Sequence, residues 1–154
     1  MSDYNNKIKS ELISRIDNIN DISILELGVQ KGISTNYFLE ICDKNNGKLY
    51  SVDIEDCSEV SINPRWKFIH SRDDDFDYLE KNLPEKVDLI YLDSFHNADH
   101  IEKIFYHLLN NFSLKFKKVI VVTSSKIKKN KIQKKIECLK PNSIFWSDKS
   151  RIVK

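Results

Sequence analysis

Residues able to do chemistry in this 154-residue chain cluster at the ends of short apolar runs. Glu26 sits within the first such run, and Gly28, Gln30, Gly32 and Ser34 follow it in a turn that opens into a helical pattern. Asp53 ends a second run. Ser71, Arg72 and Asp73 follow a third, with Asp74 an equal alternative in register, and Asp93 ends a fourth, with Ser94 and His96 just beyond. Thr123 and Ser124 close a fifth. A helix that begins at a glycine turn offers unpaired backbone N–H groups and the positive end of its dipole, so the turn can hold a polar or anionic group. Carboxylates at Asp53 and Asp93 would repel a polyphosphate there. The mouth suits instead a ligand with a cationic centre and free ribose hydroxyls.

The elements that must position these groups alternate along the chain. Ile8, Leu12, Ile13 and Ile16 recur at helical spacing and predict an amphipathic lead-in helix over residues 5–17. Nearly unbroken apolar residues over 22–27 predict a strand buried on both faces. A helix is expected over 34–42, with Ser34 or Thr35 placed to cap its first turn and Asn45, Asn46 and Gly47 ending it. Strands are expected over 48–53, 66–70, 87–93 and 118–123, and helices over 76–83, 98–111 and 126–139. A closing hairpin pairs 143–146 with 151–153. This order predicts an α/β fold, a doubly wound Rossmann-like sheet that is mostly parallel with a C-terminal antiparallel hairpin. In such a sheet ligands bind outside the carboxyl ends of the strands, at the switch in strand order. No repeat or linker divides the chain, so a single domain over 1–154 is expected, with a lead-in helix over 1–20, a binding core over 22–123 and a basic closing part over 126–154.

Composition bounds the function. With 40% apolar and 31% charged residues the chain is globular, and its length is enough to bury roughly two thirds of the extended surface. The first residues lack the pattern of a secretion signal, and no apolar run approaches the ~18 residues of a membrane span. A cytoplasmic protein without membrane contact is expected. Cys42, Cys57 and Cys138 are odd in number and widely spaced with no Cys-x-x-Cys pair, so neither a zinc knuckle nor a disulfide framework is indicated. The net charge of +2 conceals an asymmetry: residues 1–110 hold 12 Lys/Arg against 21 Asp/Glu, and residues 111–154 hold 13 against 2. A basic last third suits nucleic acid or an acidic partner, but also an ordinary lysine-rich solvated face, which is the favoured reading because exposed interleaved aromatics are lacking.

Glu26-x-Gly28-x-x-x-Gly32-x-Ser34, the acid Asp53 and the segment ending Asp93-x-x-His96 resemble the class I S-adenosylmethionine-dependent methyltransferases. Among these the chain is most similar to small-molecule O-methyltransferases whose fourth strand ends in Asp-x-x-His. The similarity covers residues 22–123. It implies S-adenosyl-L-methionine as cofactor, with Gly28, Gln30 and Gly32 in the turn that meets its methionine part, and with Glu26 and Ser34 at the same end. It implies that Asp53 accepts the ribose hydroxyls, and that Ser71, Arg72 and Asp73 lie in the adenine-contacting loop. Asp93 would line the cofactor near its sulfonium, and His96 would be the general base, an imidazole being suited to proton transfer near neutral pH. Each residue also has a plain structural alternative: an acid that caps the next helix, a glycine that merely turns the chain, a packed histidine. His100, one turn past His96, is either a partner or a surface residue.

Many metal-dependent relatives carry acids after the fifth strand, where this chain has Thr123, Ser124 and Ser125. A hard divalent cation favours several carboxylates, so a metal is not expected. The implied reaction is methyl transfer to oxygen or nitrogen of a small-molecule acceptor. A protein that binds S-adenosylmethionine and cleaves it, or is catalytically inert, is the alternative, as is a basic module that binds nucleic acid or a partner on the same fold. Without an inserted cap the acceptor site would be shallow, which favours a homo-oligomer.

Overall fold

The computed structural model describes residues 13–94, 97–110, 118–122, 144–148 and 151–153. The greater part of the lead-in helix, Phe95 and His96, Thr123 to Ser125, the basic helix over 126–139 and Cys138 lie outside the described residues.

Strands β1 (Ser23–Leu27), β2 (Lys48–Asp53), β3 (Trp66–His70), β4 (Leu89–Leu92) and β5 (Lys118–Val122) form a parallel sheet in the order β3-β2-β1-β4-β5, which continues into β6 (Ile144–Asp148) and β7 (Arg151–Val153). Helices α1 (Ile33–Asn45), α2 (Phe76–Asn82) and α3 (Ala98–Asn110) connect them, while β2 reaches β3 through a loop holding a single 3-10 turn. The switch in strand order lies between β1 and β4, whose registers pair Ile24 with Leu89 and Leu27 with Leu92. Chain direction therefore brings Gly28 and Asp93 to the same edge.

Alternation along the strands explains the two layers. Leu25, Leu27, Val52, Ile90 and Leu92 pack toward Leu79 of α2 and Ile101, Ile104 and Leu108 of α3. Ile24, Leu49, Leu89 and Tyr91 face Phe38, Leu39, Ile41 and Cys42 of α1, together with Ile16 and Ile22. Both clusters are fully or almost fully buried. Each such side chain contributes roughly 1.5–3 kcal/mol relative to exposure, so the strand ends stand on a rigid base.

Several boundaries moved. Strand β4 is shorter than the expected 87–93, and just before it the Asp88 carboxylate accepts from Ser23 N at 3.0 Å. Helix α1 runs three residues past Cys42 and ends where Asn46 takes a left-handed conformation with its N–H on Cys42 O. The lead-in segment enters the described residues as a 3-10 turn over Ile13–Arg15, with Ile16 inside the core.

Candidate functional site

The turn after β1 is built from three residues with positive φ, Gly28 (101°), Gln30 (50°) and Gly32 (74°). At Gly28 the need for glycine is local and steric. A Cβ there would lie 2.4 Å from the carbonyl oxygen of Asp93, so β1 and β4 exits can touch only without one. At Gly32 a Cβ would meet Val60 Cγ1 at 2.2 Å. Gly32 also stands at the cap position of α1 and provides no side-chain cap.

Ser34 and Thr35 do not cap the first turn as expected. Both turn inward and donate to Glu26, Ser34 Oγ at 2.5 Å to one carboxylate oxygen and Thr35 Oγ1 at 2.8 Å to the other, which also accepts from Ser51 Oγ at 2.7 Å. Glu26 lies on the α1 face of β1 and is wholly buried. Burial pushes its carboxyl up to about 7, against the opposing pull of the three hydroxyls, and the charge of Asp93 adds to the rise. Trp66 Nε1 donates to Ser51 Oγ at 2.9 Å and extends the network to β3. This carboxylate ties β1, β2 and the start of α1 together.

Asp53 reaches across from β2. One carboxylate oxygen accepts from Val29 N at 2.7 Å and Gln30 N at 3.1 Å, and the other from Glu55 N at 3.0 Å. The acid and the glycine turn are thus one structure. Next to it Ile54 is 62% exposed, a large apolar side chain at the sheet edge that the sequence pattern did not single out.

In the loop after β3 the three consecutive acids have separate tasks. Asp73 accepts from Ser94 Oγ at the end of β4 and pairs with His100 Nε2 of α3 at 2.8 Å. Asp74 receives both Arg72 Nε (2.7 Å) and Nη2 (3.0 Å), and Lys103 Nζ at 3.1 Å, which hold its carboxyl well below the usual range. Asp75 caps α2, accepting from Tyr78 N at 3.3 Å. Ser71 N donates to Asp53 O at 2.9 Å, which joins this loop to β2. His100, left open between partner and surface residue, is an internal partner of Asp73.

The sheet therefore brings together Glu26, Gly28, Gln30, Gly32, Ser34, Asp53, Asp73 and Asp93 at one edge. His96 lies outside the described residues. Among the described residues no group of three or more His, Cys, Asp or Glu side chains is placed to hold a metal, and no helix is long and apolar enough to cross a membrane. A family model described as a methyltransferase domain matches residues 25–113, more than half of the chain. Comparison with curated proteins found no match.

Proposed function

This chain belongs to the class I S-adenosylmethionine-dependent methyltransferases, and on that premise we propose that it binds S-adenosyl-L-methionine at the β1/β4 switch and transfers the methyl group to oxygen or nitrogen of a small-molecule acceptor. The observation that carries this reading is the joining of Asp53 to the glycine turn through Val29 N and Gln30 N, directly beside the contact of Gly28 with Asp93. An acid-lined turn of this kind fits a cationic, ribose-bearing cofactor and disfavours a nucleotide polyphosphate.

In this reading Gly28, Gln30 and Gly32 meet the methionine end of the cofactor, and Glu26 and Ser34 hold that end of the pocket in shape. Asp53, already oriented by three backbone donors, accepts the ribose hydroxyls with its remaining lone pairs. Ser71 and Arg72 form the adenine side, in the loop that Asp73 continues. Asp93 lines the sulfonium, and His96 takes the proton of an acceptor hydroxyl. The bound cofactor supplies an electrophilic methyl group; the residues supply proximity and alignment. A divalent metal is not part of the proposal, because Thr123, Ser124 and Ser125 stand where metal-dependent relatives carry acids. The antiparallel hairpin of 143–146 with 151–153, a cytoplasmic location, the single-domain organisation, the Asp-x-x-His subgroup and self-association over the shallow acceptor side belong to the same proposal.

That substitution after β5 also favours a second reading, in which the cofactor is bound but cleaved or left unchanged. Product analysis with methyl-labelled S-adenosylmethionine separates the two. Label on an added acceptor with release of S-adenosylhomocysteine supports the transferase. Acceptor-independent breakdown products identify a cleaving enzyme, and unchanged cofactor with every acceptor tried identifies an inert binder. Label on added oligonucleotide instead would point to the basic last third and a nucleic-acid substrate.

A further inference from the structure

We infer that Asp73 is a positioning residue that fixes the connection between β4 and α3 from both of its ends. Ser94 leaves β4 directly after Asp93, and His100 lies in the first turn of α3. The same carboxylate holds both, one oxygen accepting from Ser94 Oγ and the other paired with His100 Nε2 at 2.8 Å. Asp73 and His100 side chains are only 13% and 15% exposed, so the contact is shielded from water, where a bond to a charged group is strongest.

The grip has a firm base on each side. Asp74, bound by Arg72 and by Lys103 of α3, anchors the loop one residue on, and Asp75 fixes it to α2. At the other end Asn97 Oδ1 accepts from Asp99 N at 2.9 Å and His100 N at 3.2 Å, so the start of α3 is capped. Both carboxylate oxygens of Asp73 thus point at β4 and α3, whereas the neighbouring Arg72 is 62% exposed. The family resemblance puts Asp73, with Asp74 as an equal alternative, in the adenine-contacting loop; within that loop the geometry points to support of the connection as the task of the Asp73 carboxylate. That connection carries His96, and this consequence alone rests on the proposed methyl transfer. In that reading a base displaced by about 1 Å can lose on the order of a hundredfold in rate, so a hold at both ends of its segment serves the transfer.

The test combines amide exchange, histidine NMR and S-adenosylhomocysteine titration on the full chain. Asp73→Ala, Ser94→Ala and His100→Gln should each speed exchange at the Asp99, His100 and Ile101 amides by about tenfold or more, while Asn36 at the start of α1 keeps its rate. The His96 ring signals should move in the same variants. Ser94→Thr, which keeps the hydroxyl, should restore both. Affinity for S-adenosylhomocysteine should stay within about threefold of wild type, a difference below 1 kcal/mol. Wild-type exchange and His96 signals in Asp73→Ala would overturn the inference, as would a loss of affinity beyond about tenfold with those signals unmoved, which would make Asp73 a cofactor contact. If Asp73→Ala does not fold, the Ser94 and His100 variants each remove one bond and decide the matter. Failure of the wild type to bind S-adenosylhomocysteine would count against the proposed function, while the exchange measurement would still judge the clamp.

Discussion

Gly28 and Asp93 face each other across the exits of β1 and β4 so closely that a Cβ on the glycine would lie 2.4 Å from the aspartate carbonyl oxygen. With φ at 101° the position is also closed to ordinary side chains. Gly28→Ala should therefore destabilise the fold by about 2 kcal/mol or more, from backbone strain together with overlap against a strand that cannot retreat. Denaturant unfolding measures this directly. A variant within about 0.5 kcal/mol of wild type would show that the two exits are not in contact.

Glu26 gives the fold a pH dependence of defined sign. Burial pushes its carboxyl up to about 7 from an ordinary value of 4.5. Between those values the folded chain keeps a proton that the unfolded chain releases, so stability falls as pH rises through the window and levels off above about 7. The loss is on the order of 3 kcal/mol for a shift of this size. Glu26→Gln should flatten that part of the profile, and thermal unfolding of both proteins between pH 5 and pH 8, as about the useful range, measures the difference. Parallel profiles would mean that Glu26 is charged throughout.

Asp53 serves the turn and, in the proposed function, the ribose. Asp53→Ala removes the acceptor for Val29 N, Gln30 N and Glu55 N at once. S-adenosylhomocysteine affinity should fall by about tenfold or more, since a lost bond to a charged group costs about 1.5–3 kcal/mol. Asp53→Asn, which keeps one oxygen, should fall between. Calorimetric titration reads both, and unchanged affinity in the alanine variant would remove Asp53 from the cofactor site.

His96→Gln should separate binding from turnover. Loss of a general base lowers the rate by on the order of 10²–10⁴, with S-adenosylhomocysteine affinity nearly unchanged. A variant with wild-type turnover on a hydroxyl acceptor would leave transfer to alignment alone.

Much of this was legible because strand and helix periods are local signals. Lys48–Asp53 and Trp66–His70 were read to the residue, and the placement of Glu26, Gly28, Asp53 and Asp93 at one edge follows from a parallel sheet alone. The roles of individual side chains were less legible, because they depend on contacts between residues far apart in the chain. Ser34 and Thr35 looked like caps, yet a buried carboxylate on β1 draws both hydroxyls inward. For the acids after β3 the resemblance gave only a shared loop, with Asp73 and Asp74 as equal alternatives in register. Each in fact has its own partner: His100, 27 positions away, for the first, Arg72 and Lys103 for the second, and the start of α2 for the third. The one available hint for Asp73 was that His100 and Lys103 recur on one side of a helix.

Calorimetric titration of the full chain with S-adenosylmethionine and with S-adenosylhomocysteine tests the central claim most directly. Saturable binding of both ligands at one site per chain, weakened in Asp53→Ala, is the predicted result. Absence of heat and of any thermal shift with either ligand would contradict it.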